Sequence, residues 1–297
     1  MGAAAKNLRP KPEVEDLLRR LESLPTLPSV MYELNRLIND PTSSAGDVTK
    51  VMEKDQSLTG KVLKVVNSAY YAIPGGITSL HRAIAYLGYD TINQLVLAAS
   101  VFKTMNKTSK SKFNLNDYWK HSVGVAMTAE TLAKWCNHTN PSECFTGGLL
   151  HDVGKLALYH VAPDYWDAIV SEAFAKNITV TAAELNLNIM SHTEVGALLV
   201  NVWKLPSVLE YIISYHHELN LAKRHCPQEN NHTIDIVALA NKMVHDLDFG
   251  NSGHTQKFPA DGNLLKRINL NSIQLPLILK DVLRNLSNAD DFIKIIS

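Results

Sequence analysis

At 297 residues, with 45% hydrophobic, 20% charged and 7% aromatic side chains, the chain has the balance of a folded protein with a sizeable core. Its 29 basic and 29 acidic residues cancel, so bulk charge gives no reason to expect nucleic acid or an anionic membrane as partner. Cys136, Cys144 and Cys226 form no C-x-x-C pair and leave an odd thiol, which suits packing residues in a reducing, cytoplasmic interior, and neither a signal peptide nor a membrane-length apolar run is present.

Residues 1–20 read as a leader, Gly2 to Lys6, followed by a first helix. Beyond it the hydrophobic period is helical nearly throughout. Val51, Met52, Leu58, Val62, Leu63, Val65 and Val66 recur at three and four residues, and Ile84, Leu87, Ile92, Leu95 and Val96 continue the pattern. Breakers at Leu24–Pro28, Asp40-Pro41 and Ile73–Gly76 divide this stretch into short helices. The polar run Lys103–Asn116, including Thr108–Lys112, reads as a linker or boundary. After it, Asn116 or Asp117 can cap a helix through Lys134, and a second helix is expected from Glu143 to His160. Ser191 and Glu194 form a capping box that opens a third with His192 in its first turn. Pro206 fits the first turn of a fourth, and Ile234 to His245 form a fifth. Residues 220–232 and 248–263 read as loops, and Asn271 to Ile296 as one or two amphipathic helices. The expected fold is all-α, with two packed helical parts over residues 21–105 and 114–247 and a C-terminal loop and helices over 248–297.

The chemistry lies where polar groups fall on apolar stripes. His121 shares a helical face with Tyr118, Val125, Ala129 and Leu132; Asp152 shares one with Phe145, Leu149 and Leu156, and His151 lies beside it over Gly147 and Gly148. His192 opens the stripe Val195, Leu199, Trp203; His216 closes the stripe Leu209, Ile212, with His217 adjacent; Asn241 continues Ile234 and Val237. One buried histidine is ordinary core, satisfied by a single hydrogen bond. Five imidazoles and a carboxylate in one apolar interior each need a partner or cost about 1–3 kcal/mol, and a cation is the economical shared one. This donor set suits Fe, Mn, Zn or Ni, and an aspartate beside a histidine can bridge two ions.

The order His121, His151-Asp152 in HDVGK, His192, His216-His217 and Asn241 resembles the HD superfamily of metal-dependent phosphohydrolases, most closely the two-metal pattern of its HD-GYP branch. That branch closes the set with an aspartate, where this chain has Asn241, and HHELNLAKRHCPQ lacks the GYP signature, so cyclic di-GMP hydrolysis is not expected. Upstream, LPTLPSVMYELNRLIND, DQSLTGKVLKVVNSAYYA and ITSLHRAIAYLGYDTINQLVLAASVF resemble the HDOD (HD-related output domain) signature, a helical module that precedes the HD-like part in bacterial signalling proteins.

The resemblance implies His121, His151, Asp152, His192, His216, His217 and Asn241 as ligands of one or two divalent transition-metal ions, with Asp152 and Lys155 as catalytic candidates. Lys155 could steady a phosphate or be a solvated helix lysine. Three functions follow as expectations: a regulatory module that binds metal with a nucleotide or phosphate ligand and reports to a signalling partner protein; a metal-dependent phosphohydrolase; or a metal-free scaffold of hydrogen-bonded histidines. Asn67-Ser68 reads as a cap and turn, and Tyr70-Tyr71 as aromatic core or a partner surface.

Overall fold

The computed structural model describes residues 14–38, 42–107, 109–111, 113–254, 256–257 and 262–296; the expected leader at Gly2–Lys6 and the breaker Asp40-Pro41 lie outside them. Among the described residues there is no strand, and the all-α expectation is met. Six helices make the first half: α1 Val14–Glu22, α2 Ser29–Ile38, α3 Ala45–Met52, α4 Gln56–Val66, α5 Leu80–Leu87 and α6 Tyr89–Met105. Side-chain caps set several of their starts. Ser44 and Asp47 form a capping box at α3, Asp55 caps α4 and Ser79 caps α5, each worth about 1 kcal/mol. The Asn67 side chain donates to Leu63 O and Ile77 O and accepts from Ile77 N, clamping the loop through Pro74.

The second half begins with α7, Leu115–Trp135, capped by Asn114 rather than by Asn116 or Asp117. Nearly every residue of α7 from Tyr118 to Ala133 is buried, so it is the central helix. The expected helix from Glu143 to His160 is two: α8 Pro141–Leu150 and α9 Val153–Val161, broken at His151-Asp152. The break comes where His151 Nδ1 turns back onto Gly148 O at 2.6 Å. Next come α10 Pro163–Lys176 and α11 Val180–Asn186, a pair the hydrophobic pattern did not disclose, then α12 His192–Val202 with the expected Ser191/Glu194 box and α13 Ser207–Tyr215 after Pro206. The α14 helix, Asn230–Asp246, begins inside the stretch expected as loop, which also holds a single 3-10 turn at Leu221–Lys223. It is tied to its surroundings through buried Asp235, which accepts from Arg224 at 2.7 Å and from Arg267 at 2.6 and 3.0 Å.

Arg267 ends α15, Gly262–Arg267; α16, Leu275–Leu286, and α17, Ala289–Ile296, close the chain. The α16 helix lies on α7, with Trp135 Nε1 donating to Asp281 and Asn285 Nδ2 to Thr131 Oγ1. The α17 helix touches α4, α6 and α7. One continuous set of buried apolar side chains extends from Leu17 to Ile296. No helix among the described residues is long and apolar enough to cross a membrane.

Two close contacts position the site. A Cβ on Gly154 would stand 1.8 Å from His192 O, and Gly196 lies directly opposite, so α9 and α12 cross backbone to backbone. Gly147 and Gly148 admit close neighbours: a Cβ on Gly148 would lie 2.8 Å from Ala126 Cα on α7.

Candidate metal centre

Asp152 stands at the centre of the cluster, fully buried on the turn between α8 and α9. His151 precedes it in the chain, α7 brings His121, the first residue of α12 is His192, and His216-His217 follow directly on the end of α13. The break at His151-Asp152 lets both side chains reach one point, which an unbroken helix would have separated by about a hundred degrees. Asp152 Oδ2 lies 3.2 Å from His151 Nε2 and 3.9 Å from His121 Nε2, and Oδ1 lies 3.3 Å from His192 Nε2 and 3.6 Å from His216 Nε2. Ligand atoms of Asp152, His192, His216 and His217 fall within 4.8 Å of one another, as do those of His121, His151 and Asp152. Asp152 belongs to both groups, as a bridging carboxylate must. His217 is half-buried; the others are buried.

The hydrogen bonds on the far side of each ring fix its tautomer. His151 Nδ1 faces Gly148 O, His216 Nδ1 faces Ile213 O at 3.0 Å, and His192 Nδ1 lies 2.9 and 3.1 Å from the Glu184 carboxylate. Carbonyls and carboxylates only accept, so each Nδ1 carries the hydrogen and each neutral ring presents its Nε2 lone pair to the Asp152 oxygens. Accordingly Asp152 Oδ1 and the Nε2 atoms of His151, His192 and His216 are buried without a hydrogen-bond partner, and so are both nitrogens of His121. Acceptors converging on acceptors in a dry interior are the donor set of a cation, with Glu184 and the carbonyls as the outer groups that orient its imidazoles. The residues therefore fit a divalent transition metal.

Electrostatics agree. Burial alone would raise the Asp152 carboxyl, but His151 and the Lys155 ammonium beside it outweigh burial and hold it well below the usual carboxylate range. Burial pushes His121 and His217 well below the usual imidazole range and His216 down to about 4. Burial also opposes a proton on His192, yet Glu184 and Asp152 on its two sides raise its pKa.

Lys155 is no solvated lysine: at 1% exposure its ammonium donates to Asp152 Oδ2 at 2.7 Å and to Ser252 Oγ at 3.1 Å. Asn241 faces inward from α14, 2% exposed, with Oδ1 lacking a hydrogen-bond partner. Four residues escaped the sequence reading. Glu184 on α11 accepts from both the backbone and the ring of His192. The His245 ring centre lies 4.5 Å from that of His121, the two rings tilted by 48°, and His254 lies 4.6 Å from His245 at a tilt of 33°. Ser252 and His254 come from a buried loop that rests on α7: Asn251 N donates to Asp117 O, and at Gly250, φ +72°, a Cβ would lie 2.3 Å from His121 N. The signal for His245 was its spacing, one turn beyond Asn241; the loop residues have no periodicity to betray them.

These features define a class of protein: all-helical, with a buried histidine/aspartate cluster of metal-binding type. The chain belongs to the HDOD domain family, whose profile matches residues 24–219. Its fold is that of an HDOD domain protein from Geobacter sulfurreducens, 24% identical, with a TM-score of 0.77 over 94% of this chain and 99% of that one. A structure from Shewanella amazonensis SB2B named "Putative phosphohydrolase" is 26% identical, with a TM-score of 0.70 over 95% of this chain and 98% of that one. A protein of Treponema pallidum (strain Nichols) is 25% identical over 230 residues, 77% of this chain and 44% of its own length. The chain spans less than half the length of the curated relatives it matches.

Proposed function

We propose that the protein is a regulatory module in which residues 114–247 hold one or two divalent transition-metal ions (Fe, Mn, Zn or Ni), the loaded centre binds a phosphate-bearing ligand, and residues 21–105 relay occupancy to a signalling partner. His121, His151, Asp152, His192, His216, His217 and Asn241 are the metal ligands of this reading. The observation that carries this reading is the charge of the cluster. Among the described residues Asp152 is the one carboxylate that the two groups of imidazoles share; Glu184 stands on the far side of His192, and Lys155 is already 2.7 Å from Asp152. Two divalent ions added to that set leave a strongly cationic centre, which favours a multiply charged anion and holds it tightly. Half-buried His217 is the cluster's nearest approach to solvent. A metal ion there supplies Lewis acidity and, where water is bound, a nucleophile at neutral pH.

The phosphohydrolase reading rests on the second structure above and on the same residues, with Lys155 as the phosphate contact. Calorimetric titration of the metal-loaded protein with inorganic phosphate, alongside an assay on bis-p-nitrophenyl phosphate, separates the two. Metal-dependent phosphate binding without turnover is expected; turnover favours the hydrolase, and neither binding nor turnover removes both.

A further inference from the structure

Among the described residues, His121, His151 and Asp152 are the His, Cys, Asp or Glu side chains whose ligand atoms converge on one ion position, and the side chain that the resemblance assigns to complete it, Asn241, brings no charge. We infer that His245 is a further ligand of this position, supplying from the same helix an imidazole where a carboxylate is missing. This rests on the metal reading above. His245 lies one turn beyond Asn241, so α14 presents both residues on one face. It is 9% exposed, and its ring centre lies 4.5 Å from that of His121.

Two imidazoles on a single ion at about 2.1 Å, separated by an angle of roughly 90–110°, have ring centres about 4.6–5.3 Å apart. The 4.5 Å between His121 and His245 falls just short of this range, as the 5.5 Å between His121 and His151 falls just beyond it, while the 5.3 Å between His192 and His217 lies at its upper end. His245 stands outside the group whose ligand atoms lie within 4.8 Å of one another, so ligation asks its ring to turn towards Asp152. The neighbouring loop is built to support that ring. His254 packs on it at 4.6 Å and an interplanar angle of 33°, and the Asn251 side chain fixes the loop by donating to His254 O and accepting from Gly253 N. Gly250 allows the same loop to lie against the backbone of His121 itself. One loop thus braces both rings.

The test is calorimetric titration of the full, tag-free, chelator-stripped chain with Mn²⁺, for the parent, His245→Leu and His245→Gln, each shown to be folded by thermal unfolding of its apo form. The expected result is binding at least about tenfold weaker at one position, with any second position unchanged. Parent-like affinity in the folded variants overturns the inference and leaves the metal reading standing. Equal loss at both positions marks a structural role and overturns it too. A parent that binds no ion overturns the inference and the metal reading together.

Discussion

At the scale of single residues, the site is governed by which atoms carry hydrogens. Because Gly148 O, Ile213 O and Glu184 take the Nδ1 hydrogens of His151, His216 and His192, the lone pairs on the other side meet Asp152 and have no donor among themselves. Asp152 is the only member of the cluster able to supply charge to both groups. Asp152→Ala should therefore remove bound metal more thoroughly than His217→Ala, which deletes one neutral ligand of one group; equal metal content in the two variants, measured by elemental analysis, contradicts the bridging role. Protonation sets a second expectation. His216 and His245 have folded pKa values of about 4 and about 3, below the ordinary 6.5, so between pH 6.5 and 4 the unfolded chain binds protons that the folded chain refuses. Stability from these groups is present above pH 6.5 and is lost as the pH falls, each contributing up to about 1.4 kcal/mol per pH unit within its window. His192, whose pKa is raised, runs the other way: its contribution is complete below 6.5 and lost as the pH rises through its folded value. The apo-protein should melt at a clearly lower temperature at pH 4.5 than at pH 7; equal melting temperatures would show that the imidazoles are not buried neutral.

At the scale of elements, the crossing of α9 and α12 brings the Asp152 turn against His192. Gly154 and Gly196 let the two backbones touch, and the nearest atoms a methyl group on Gly154 would meet are all backbone, the carbonyl of His192 and the nitrogen of Gly196. Gly154→Ala should destabilise the fold by about 1–3 kcal/mol or more and lower metal affinity, because separating the helices moves His192 from Asp152. Urea unfolding and metal titration check both parts; a variant that retains both values means that the helices are not in contact there. The elements also explain what the sequence could and could not disclose. Inward stripes pointed to burial of His121 on α7, His192 on α12, His216 at the end of α13 and Asn241 on α14, and all four are buried, since a 3.6-residue period reports burial directly. The break at His151-Asp152 was invisible because no proline marks it and the nearby Gly147, Gly148 and Gly154 all lie within helices; a side-chain bond to Gly148 O accompanies the end of α8 instead. Short α11, with Glu184 on it, had too few turns for a period to register, and the loop carrying Ser252 and His254 is held by Asn251 and Gly250 through contacts that sequence spacing does not encode.

At the scale of the whole molecule, the two helical halves share one apolar core, and the C-terminal segment closes over both. The α17 helix reaches α4 on one side and α7 on the other, and Lys61 on α4 donates to Ile296 O at 2.9 Å. The Phe102 and Trp119 rings, 4.3 Å apart, join α6 to the very helix that carries His121. A shift of α7 on ion binding therefore has a packed route into the first half, which is how the proposed module would report occupancy. All of this depends on the cluster holding metal. The most direct measurement is elemental analysis of full-length protein purified without a histidine tag. The account predicts at least about one divalent transition-metal ion per chain, retained through gel filtration and removed by a strong chelator. Metal at background level in folded protein, unchanged after incubation with Fe²⁺, Mn²⁺, Zn²⁺ or Ni²⁺, would contradict it and leave a scaffold of buried histidines.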